Sequence, residues 1–307
     1  MKLVVMIPAY DEQENIAEVI KSIPRTYKGI DQVEILVIDD GSDDETSQRA
    51  EAAGADAVIR HKMNLGLAYA FATGLRKALE MGADIIVNTD ADNQYDQNEI
   101  QGLIDPILQG EADIVNTDRQ VKTLEHMPFG NKYGNILGTW VVNRLISQDI
   151  KDASSGFRAY SRYAAENLHV LSNHTYTHET LIQADMKHIK IVTLPCTFRQ
   201  TKRKSKKSRL IGSIFGHIKK SGSTIVRTYV VYRPLKTFFY LAILFFTPGF
   251  ILGLRYLYFY LQGTSGGHIQ SLILASMLMS MGVQIALIGL VADTISALRK
   301  IVENKKL

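Results

Sequence analysis

The chain has 307 residues, 46% of them hydrophobic and 21% charged, with a net charge of +4; that size allows one large or two modest domains, on the apolar side of a soluble protein. Its single cysteine, Cys196, excludes an internal disulfide framework and fits a reducing compartment. The opening MKLVVMIPAY lacks the charged n-region, long apolar run and cleavage site of a secretory signal, so the amino-terminal part ahead of the apolar runs described below is expected to stay in the cytosol.

In chain order, short β-branched runs alternate with helical stretches. The spacing predicts strands at 3–8 (LVVMIP), 34–40 (EILVIDD), 57–60 (AVIR) and 84–90 (DIIVNTD), separated by helices at about 14–23, 44–54 and 67–82. That alternation predicts an α/β fold with a mostly parallel sheet and helices on both faces. Ligands of such sheets gather outside the carboxyl ends of the strands. The strand ends here read PAYDE, DDGSDD and TDADNQ, so acidic positions cluster at one rim.

The third of these ends carries the clearest chemistry. Asp90, Asp92 and Gln94 alternate along an extended or turning backbone and therefore project to one side. Two carboxylates and an amide oxygen are hard ligands suited to Mg²⁺ or Mn²⁺ that keeps some coordination for water and substrate phosphates. A polar surface turn uses the same residue types, so the motif alone leaves both readings open. Asp96 and Gln97 are read instead as the start of a helix over 97–108. At the first two rims, Glu12, Asp39 and Asp40 are placed to accept from base or ribose groups and Tyr10 to stack on a base, with turn formation and edge covering as the plain alternatives.

A strand is next predicted at 113–119 (DIVNTDR) and a helix at 131–147. Residues 152–168 (DASSGFRAYSRYAAENL) are read as a turn leading into a helix, followed by a helix at 177–188 and a strand at 191–198. The segment 202–209, KRKSKKSR, then carries six cations in eight positions. Residues 210–233 mix apolar and basic positions at roughly helical spacing, predicting one or two amphipathic helices on a membrane surface. Two uncharged runs close the chain, 18 residues at 237–254 and 22 at 271–292, each about the length that a bilayer requires. A pair of buried core helices is the weaker alternative. Ahead of such spans, the basic run reads as attraction to anionic headgroups or a phosphorylated lipid, and nucleic acid is not expected as a partner. The tail RKIVENKKL is also basic, which places it and the globular part on the cytoplasmic side of the cell membrane, with the link YFYLQGTSGGHIQ on the far side. Arg255 is expected near that far end, snorkelling or pairing within an oligomer.

Together, PAYDEQENI, VIDDGSDDET and TDADNQY resemble glycosyltransferase family 2 with its GT-A fold, and look especially like the polyprenol-phosphate (dolichol-phosphate) sugar synthases. The resemblance covers essentially the whole chain. It implies a nucleotide-sugar donor, a divalent metal on its diphosphate, and transfer of a hexose with inversion to the phosphate of a membrane polyprenyl or dolichyl phosphate. Carried over by position, Pro8, Tyr10, Glu12, Ile38 and Asp40 hold the nucleoside. Asp90, Ala91, Asp92 and Gln94 hold the metal and diphosphate, and Arg119, Arg203 and the Ser208-Arg209 pair the phosphates. Where such synthases often have a second arginine, this chain has Lys132, a point charge without the bidentate fork, as an acceptor-phosphate ligand.

The acceptor phosphate, with a second pKa of about 6, is already a nucleophile near pH 7, so no strong general base is required. Asp152 is the first candidate should one assist, and Glu179 the second; a turn or capping carboxylate is the alternative for Asp152. UDP-glucose or UDP-N-acetylglucosamine is favoured as donor, with GDP-mannose also admitted. The expected organisation is a GT-A domain at 1–209, juxtamembrane helices at 210–235, two transmembrane helices within 236–293 and a basic tail at 294–307; homo-oligomerisation is left open. A processive polysaccharide synthase is disfavoured because Trp140 lies in no Q-x-x-R-W signature. An anchored transferase with another lipid or glycan acceptor, and a silent lipid-binding scaffold of the same fold, are the remaining alternatives.

Overall fold

The computed structural model describes residues 1–124, 127, 129–170, 176–199, 229–230 and 233–304. The chain divides into two compact units, Met1–Ile225 and Val226–Leu307. In the first unit, strands β1 (Lys2–Ala9), β2 (Gln32–Asp39), β3 (Ala57–Arg60), β4 (Ile85–Asn88), β5 (Ile114–Asp118), β6 (Arg158–Ser161) and β7 (Ile191–Pro195) form one sheet in the order β3-β2-β1-β4-β6-β5-β7. Helices α1 (Ile16–Ser22), α2 (Thr46–Ala52), α3 (Leu67–Glu80), α4 (Ile100–Leu108), α5 (Phe129–Leu145), α6 (Arg162–Asn167) and α7 (Thr177–Met186) accompany it.

Strand β1 shows why the sheet is parallel and doubly covered. Leu3, Val5 and Ile7 enter a core with Ile16 of α1 and Ile104 of α4, while Val4 and Met6 enter the opposite core with Phe71 and Leu75 of α3. A strand buried on both faces reads as a continuous apolar run, and its neighbours must return by crossover helices. The mostly parallel α/β architecture expected from the sequence is found.

One element departs from expectation. Residues 158–161, read as the approach to a helix, form β6, which runs antiparallel between β4 and β5, with Arg158 opposite both Asn88 and Asn116. A fully buried arginine in a four-residue strand breaks the apolar pattern that marks the other strands.

The second unit is an antiparallel helix pair, Pro234–Leu261 and Ile269–Asn304. Its seam is lined by small residues: a Cβ on Gly249 would meet Leu278 and the Ala275 carbonyl at 2.9 Å, and one on Gly282 would meet Phe246 at 2.8 Å. Close approach at small residues is how apolar helices associate where lipid removes the hydrophobic drive between them. Both helices are long and apolar enough to cross a membrane, and only 11% and 17% of their most apolar windows are buried, which weighs against two core helices of a soluble protein. Arg255 lies inside the first helix, its guanidinium 5.8 Å from the Phe259 ring. The second helix runs on through most of the segment expected as a tail. The amphipathic helices expected at 210–235 fall mostly outside the described residues.

Candidate functional site

Parallel register brings the ends of β2, β1 and β4 to one edge: Ala9 pairs with Asp39, and Asn88 lies beside Met6. The turns leaving these strands carry Tyr10, Glu12, Asp40, Asp90 and Asp92. Strand β5, running the same way, delivers Arg119.

The acids on this rim divide by their hydrogen bonds. Asp39 accepts from Ser42 N–H at 2.8 Å and from the Ser47 hydroxyl. Asp40 accepts from the main-chain N–H groups of Leu65 and Gly66 at 3.0 and 2.8 Å and lies 2.7 Å from His61 Nδ1, so it fastens the loop between β3 and α3. Glu12 is buried and accepts from the Asn15 amide at 3.0 Å. Asp39, Asp40 and Glu12 thus shape the rim through contacts within the protein. The Ile38 side chain, expected at the nucleoside, is fully buried in the core, where Gly74 leaves room for it. Pro8 and Ala91 are buried as well, and Tyr10 is half-exposed at the end of β1.

Asp90 and Asp92 stand apart. Among the described residues, none donates a hydrogen bond to the Asp90 carboxylate, and Asp92 accepts from one other residue, Gln94 N–H at 3.3 Å. Desolvation raises the Asp90 carboxyl above the usual range despite the opposing charges of Arg119 and Arg158. Desolvation and the neighbouring Asp90 push Asp92 up to about 7. Two crowded carboxylates with no cationic hydrogen-bond partner among the described residues are an incomplete charge arrangement that a divalent cation completes. The residues fit such an ion, and the described residues contain no cluster of three or more His, Cys, Asp or Glu that would cage it without substrate. Room for the pair is kept by Gly156, where a Cβ would lie 2.9 and 3.2 Å from the Asp90 oxygens and 3.1 Å from the Tyr176 hydroxyl.

Arg119 forms a bidentate pair with Asp152, Nε to Oδ2 at 2.6 Å and Nη2 to Oδ1 at 3.0 Å, both side chains almost wholly buried. Burial alone would raise the Asp152 carboxyl, but the Arg119 charge and hydrogen bonds outweigh it and hold the group below its usual value. Asp152, the first candidate for a general base, therefore has both oxygens committed to Arg119. Glu179 is buried in α7 and accepts from the Gln183 amide at 3.2 Å. Lys132 lies half-exposed on α5, and no hydrogen bond or ion pair joins it to Arg119 or the acidic pair. Arg203, Ser208, Arg209 and the rest of the basic run lie outside the described residues.

Two features escaped the sequence reading. Residues 196–199 cross the acidic turn: Arg199 N–H donates to the Gln94 carbonyl at 2.7 Å, the Gln94 amide donates back to the Arg199 carbonyl at 3.1 Å, Tyr95 bridges to Phe198, and the Arg199 guanidinium pairs with Asp96. Phe198 also lies 5.3 Å under the Arg119 guanidinium, at a concavity of about 420 Å³ lined in part by Glu99, Arg119, Thr123, Cys196 and Phe198. Asp96 caps the following helix as expected, accepting from Asn98 N–H at 3.1 Å. The second feature is Arg158, fully buried, donating to the Thr177 and Ala153 carbonyls at 2.8 and 3.0 Å, with no partner for Nε among the described residues. Reach across 105 or 19 residues of sequence leaves no local signal for either.

A family model, glycosyl transferase family 2, matches residues 4–168, and a second, GtrB C-terminal hairpin, matches residues 233–298. The UDP-N-acetylglucosamine–dolichyl-phosphate N-acetylglucosaminyltransferase of Methanococcus voltae is 30% identical over 181 residues, 53% of this chain and 70% of that protein. The dolichol-phosphate mannosyltransferase of Pyrococcus furiosus is 34% identical over 207 residues, 64% of this chain and 56% of that protein. The crystal structure of glucosyl-3-phosphoglycerate synthase from Mycobacterium tuberculosis with Mn²⁺, UDP and glucosyl-3-phosphoglycerate superposes with a TM-score of 0.54 at 22% identity, covering 75% of this chain and 78% of that one. At that identity the likeness establishes the GT-A fold.

Proposed function

The chain belongs to glycosyl transferase family 2, and we propose that it moves a hexose from a nucleotide sugar to the phosphate of a membrane polyprenyl or dolichyl phosphate, with inversion at the anomeric carbon. The observation that carries this reading is the pair Asp90 and Asp92 beside Arg119: among the described residues Asp90 has no hydrogen-bond donor and Asp92 only main-chain N–H, while the other rim acids are satisfied. Relatives named as dolichyl-phosphate sugar transferases supply the acceptor class. UDP-glucose or UDP-N-acetylglucosamine is the donor favoured here, with GDP-mannose the other choice.

Asp90, Asp92 and Gln94 would hold Mg²⁺ or Mn²⁺, which when bound neutralises charge developing on the departing diphosphate. Arg119, made rigid by Asp152, directs its guanidinium at that same charge, and such preorganised donors lower a barrier because they need no reorientation as charge develops. An acceptor phosphate oxygen attacks the anomeric carbon as the bond to the nucleoside diphosphate breaks and the diphosphate leaves with the electron pair. In this reading Asp152 positions Arg119, and the dianionic acceptor needs no base. Tyr10 offers a half-exposed ring for the base, with Pro8, Glu12, Asp40 and Ala91 as the frame around it. Lys132, Arg203 and Arg209 are proposed as further cations for the phosphates. The two apolar helices would hold the enzyme in the cell membrane, catalytic unit on the cytoplasmic face, where the acceptor head group lies.

The test is the purified full chain in detergent, given UDP- and GDP-sugars with polyprenyl phosphate and Mg²⁺ or Mn²⁺. One donor should yield a lipid-linked sugar, and Asp92→Ala should abolish the product. A wild-type protein inert with every donor would overturn the enzymatic reading in favour of a lipid-binding scaffold.

A further inference from the structure

Helix α5 packs one side against the catalytic unit and exposes the other. Val142, together with Ile146 just beyond the helix, forms a small core with Leu181 and Ile182 of α7. On a different face Tyr133, Leu137, Trp140 and Arg144 succeed one another at intervals of four, three and four residues, the spacing of a single helical stripe. Tyr133, Leu137 and Trp140 are 55%, 52% and 55% exposed, and the Arg144 guanidinium rests 5.2 Å from the Trp140 ring. The helix contains two cations, Lys132 and Arg144, and no acidic residue.

We infer that this face of α5 seats the catalytic unit on an anionic phospholipid surface. Tryptophan and tyrosine with an apolar body and a polar edge are the side chains that partition to a membrane interface, and cations beside them are drawn to anionic headgroups. Without an acidic residue, nothing on the helix opposes that attraction. A second copy of the chain docked face to face would set the helix's cations, Lys132 and Arg144, against those of the other copy with no acid on the helix to pair them, which disfavours a symmetric dimer through this stripe. The inference rests on the reading of the chain as an enzyme acting on a membrane lipid, and it adds a contact that the apolar helix pair does not supply.

Trp140 is the single tryptophan, so its fluorescence reports on this face alone. The full chain is reconstituted into vesicles of phosphatidylcholine and phosphatidylglycerol, with and without bromine on the acyl chains, and vesicle attachment is measured separately by flotation. Quenching of Trp140 by the brominated lipid, stronger as the phosphatidylglycerol fraction rises, is the result expected. Leu137→Glu should keep wild-type transfer in detergent and lose roughly fivefold in anionic vesicles, the effect of one unit of charge at such a surface. Flotation with an unquenched Trp140 would overturn the inference while leaving the membrane reading intact, whether the face is covered by this chain, a second copy or another protein. Failure to float would overturn both.

Discussion

Gly156→Ala isolates the geometry of the acidic pair. Gly156 has no left-handed backbone angle, so the effect of a methyl group there is steric. Its Cβ would stand 2.9 Å from Asp90 Oδ1, and restoring an ordinary contact of 3.4 Å requires a movement of 0.5 Å (3.4 minus 2.9). Retreat is blocked on the other sides. The Gly156 carbonyl is held by the Asn88 amide at 2.7 Å, and Tyr176, whose hydroxyl would be 3.1 Å from the new methyl, stacks on Phe71 at a centroid distance of 3.7 Å. Asp90 is therefore the group that yields. Overpacking of this kind costs about 1–3 kcal/mol of stability. A displacement half as large as the 1 Å that lowers turnover about 100-fold should lower kcat/KM roughly tenfold. Mn²⁺ binding in the presence of a nucleoside diphosphate, followed by electron paramagnetic resonance, should weaken in parallel. Gly102→Ala in α4, where a Cβ meets nothing within 4 Å, is the control and should be neutral or stabilise by about 0.5–1 kcal/mol. Wild-type Mn²⁺ affinity and turnover in Gly156→Ala would refute the argument.

Asp92→Asn should raise the metal-free melting temperature while abolishing transfer, because it removes one of two crowded charges. The Asp92 carboxyl, pushed up to about 7 by burial and by Asp90, binds a proton more readily folded than unfolded. Metal-free wild-type stability should then fall as pH rises from about 4 towards 7, and calorimetry should find that decline reduced in Asp92→Asn. Asp152→Ala strips Arg119 of its bidentate partner and should cost about 3–5 kcal/mol in urea unfolding, with a drop in kcat, as for other broken buried pairs. Cys196 is buried and its thiol is pushed up to about 12, so iodoacetamide at pH 8 should label it only once denaturant has opened the catalytic unit.

The fold was legible where burial is two-sided. Strands such as β1 must be apolar on both faces, and the intervening helices announce the parallel crossovers. Strand β6 was illegible because Arg158 occupies its first position, and nothing local tells that its donors reach carbonyls of the loop before it and the helix after it. The site was legible as composition and not as partnership. Asp40 and Asp90 both follow a buried strand, yet one is saturated by Leu65, Gly66 and His61 and the other has no donor among the described residues. The sequence offers Asp152 as a candidate base or a capping carboxylate and gives no sign of its pairing with Arg119, which lies 33 residues away.

Charge balance gives these partnerships a common sense. Asp90, Asp92 and Asp152 carry three negative charges when ionised, and Arg119 and Arg158 carry two positive ones, with Arg119 committed to Asp152. Arg158 is close enough to favour the ionised form of Asp90 but spends its hydrogen bonds on main-chain carbonyls and the Thr180 hydroxyl, so it tempers the acidic pair without closing it. A carboxylate in place of one of those carbonyls would neutralise Arg158 and leave Asp90 still harder to ionise. An extra arginine bonded to Asp90 would satisfy the pair and remove its attraction for a cation. Among the described residues, the buried arginine without an acidic partner and the acidic pair without a basic hydrogen-bond partner are thus complementary halves of one arrangement, whose net charge of −1 (three negative, two positive) a divalent cation would turn to +1, a charge that attracts an anionic diphosphate.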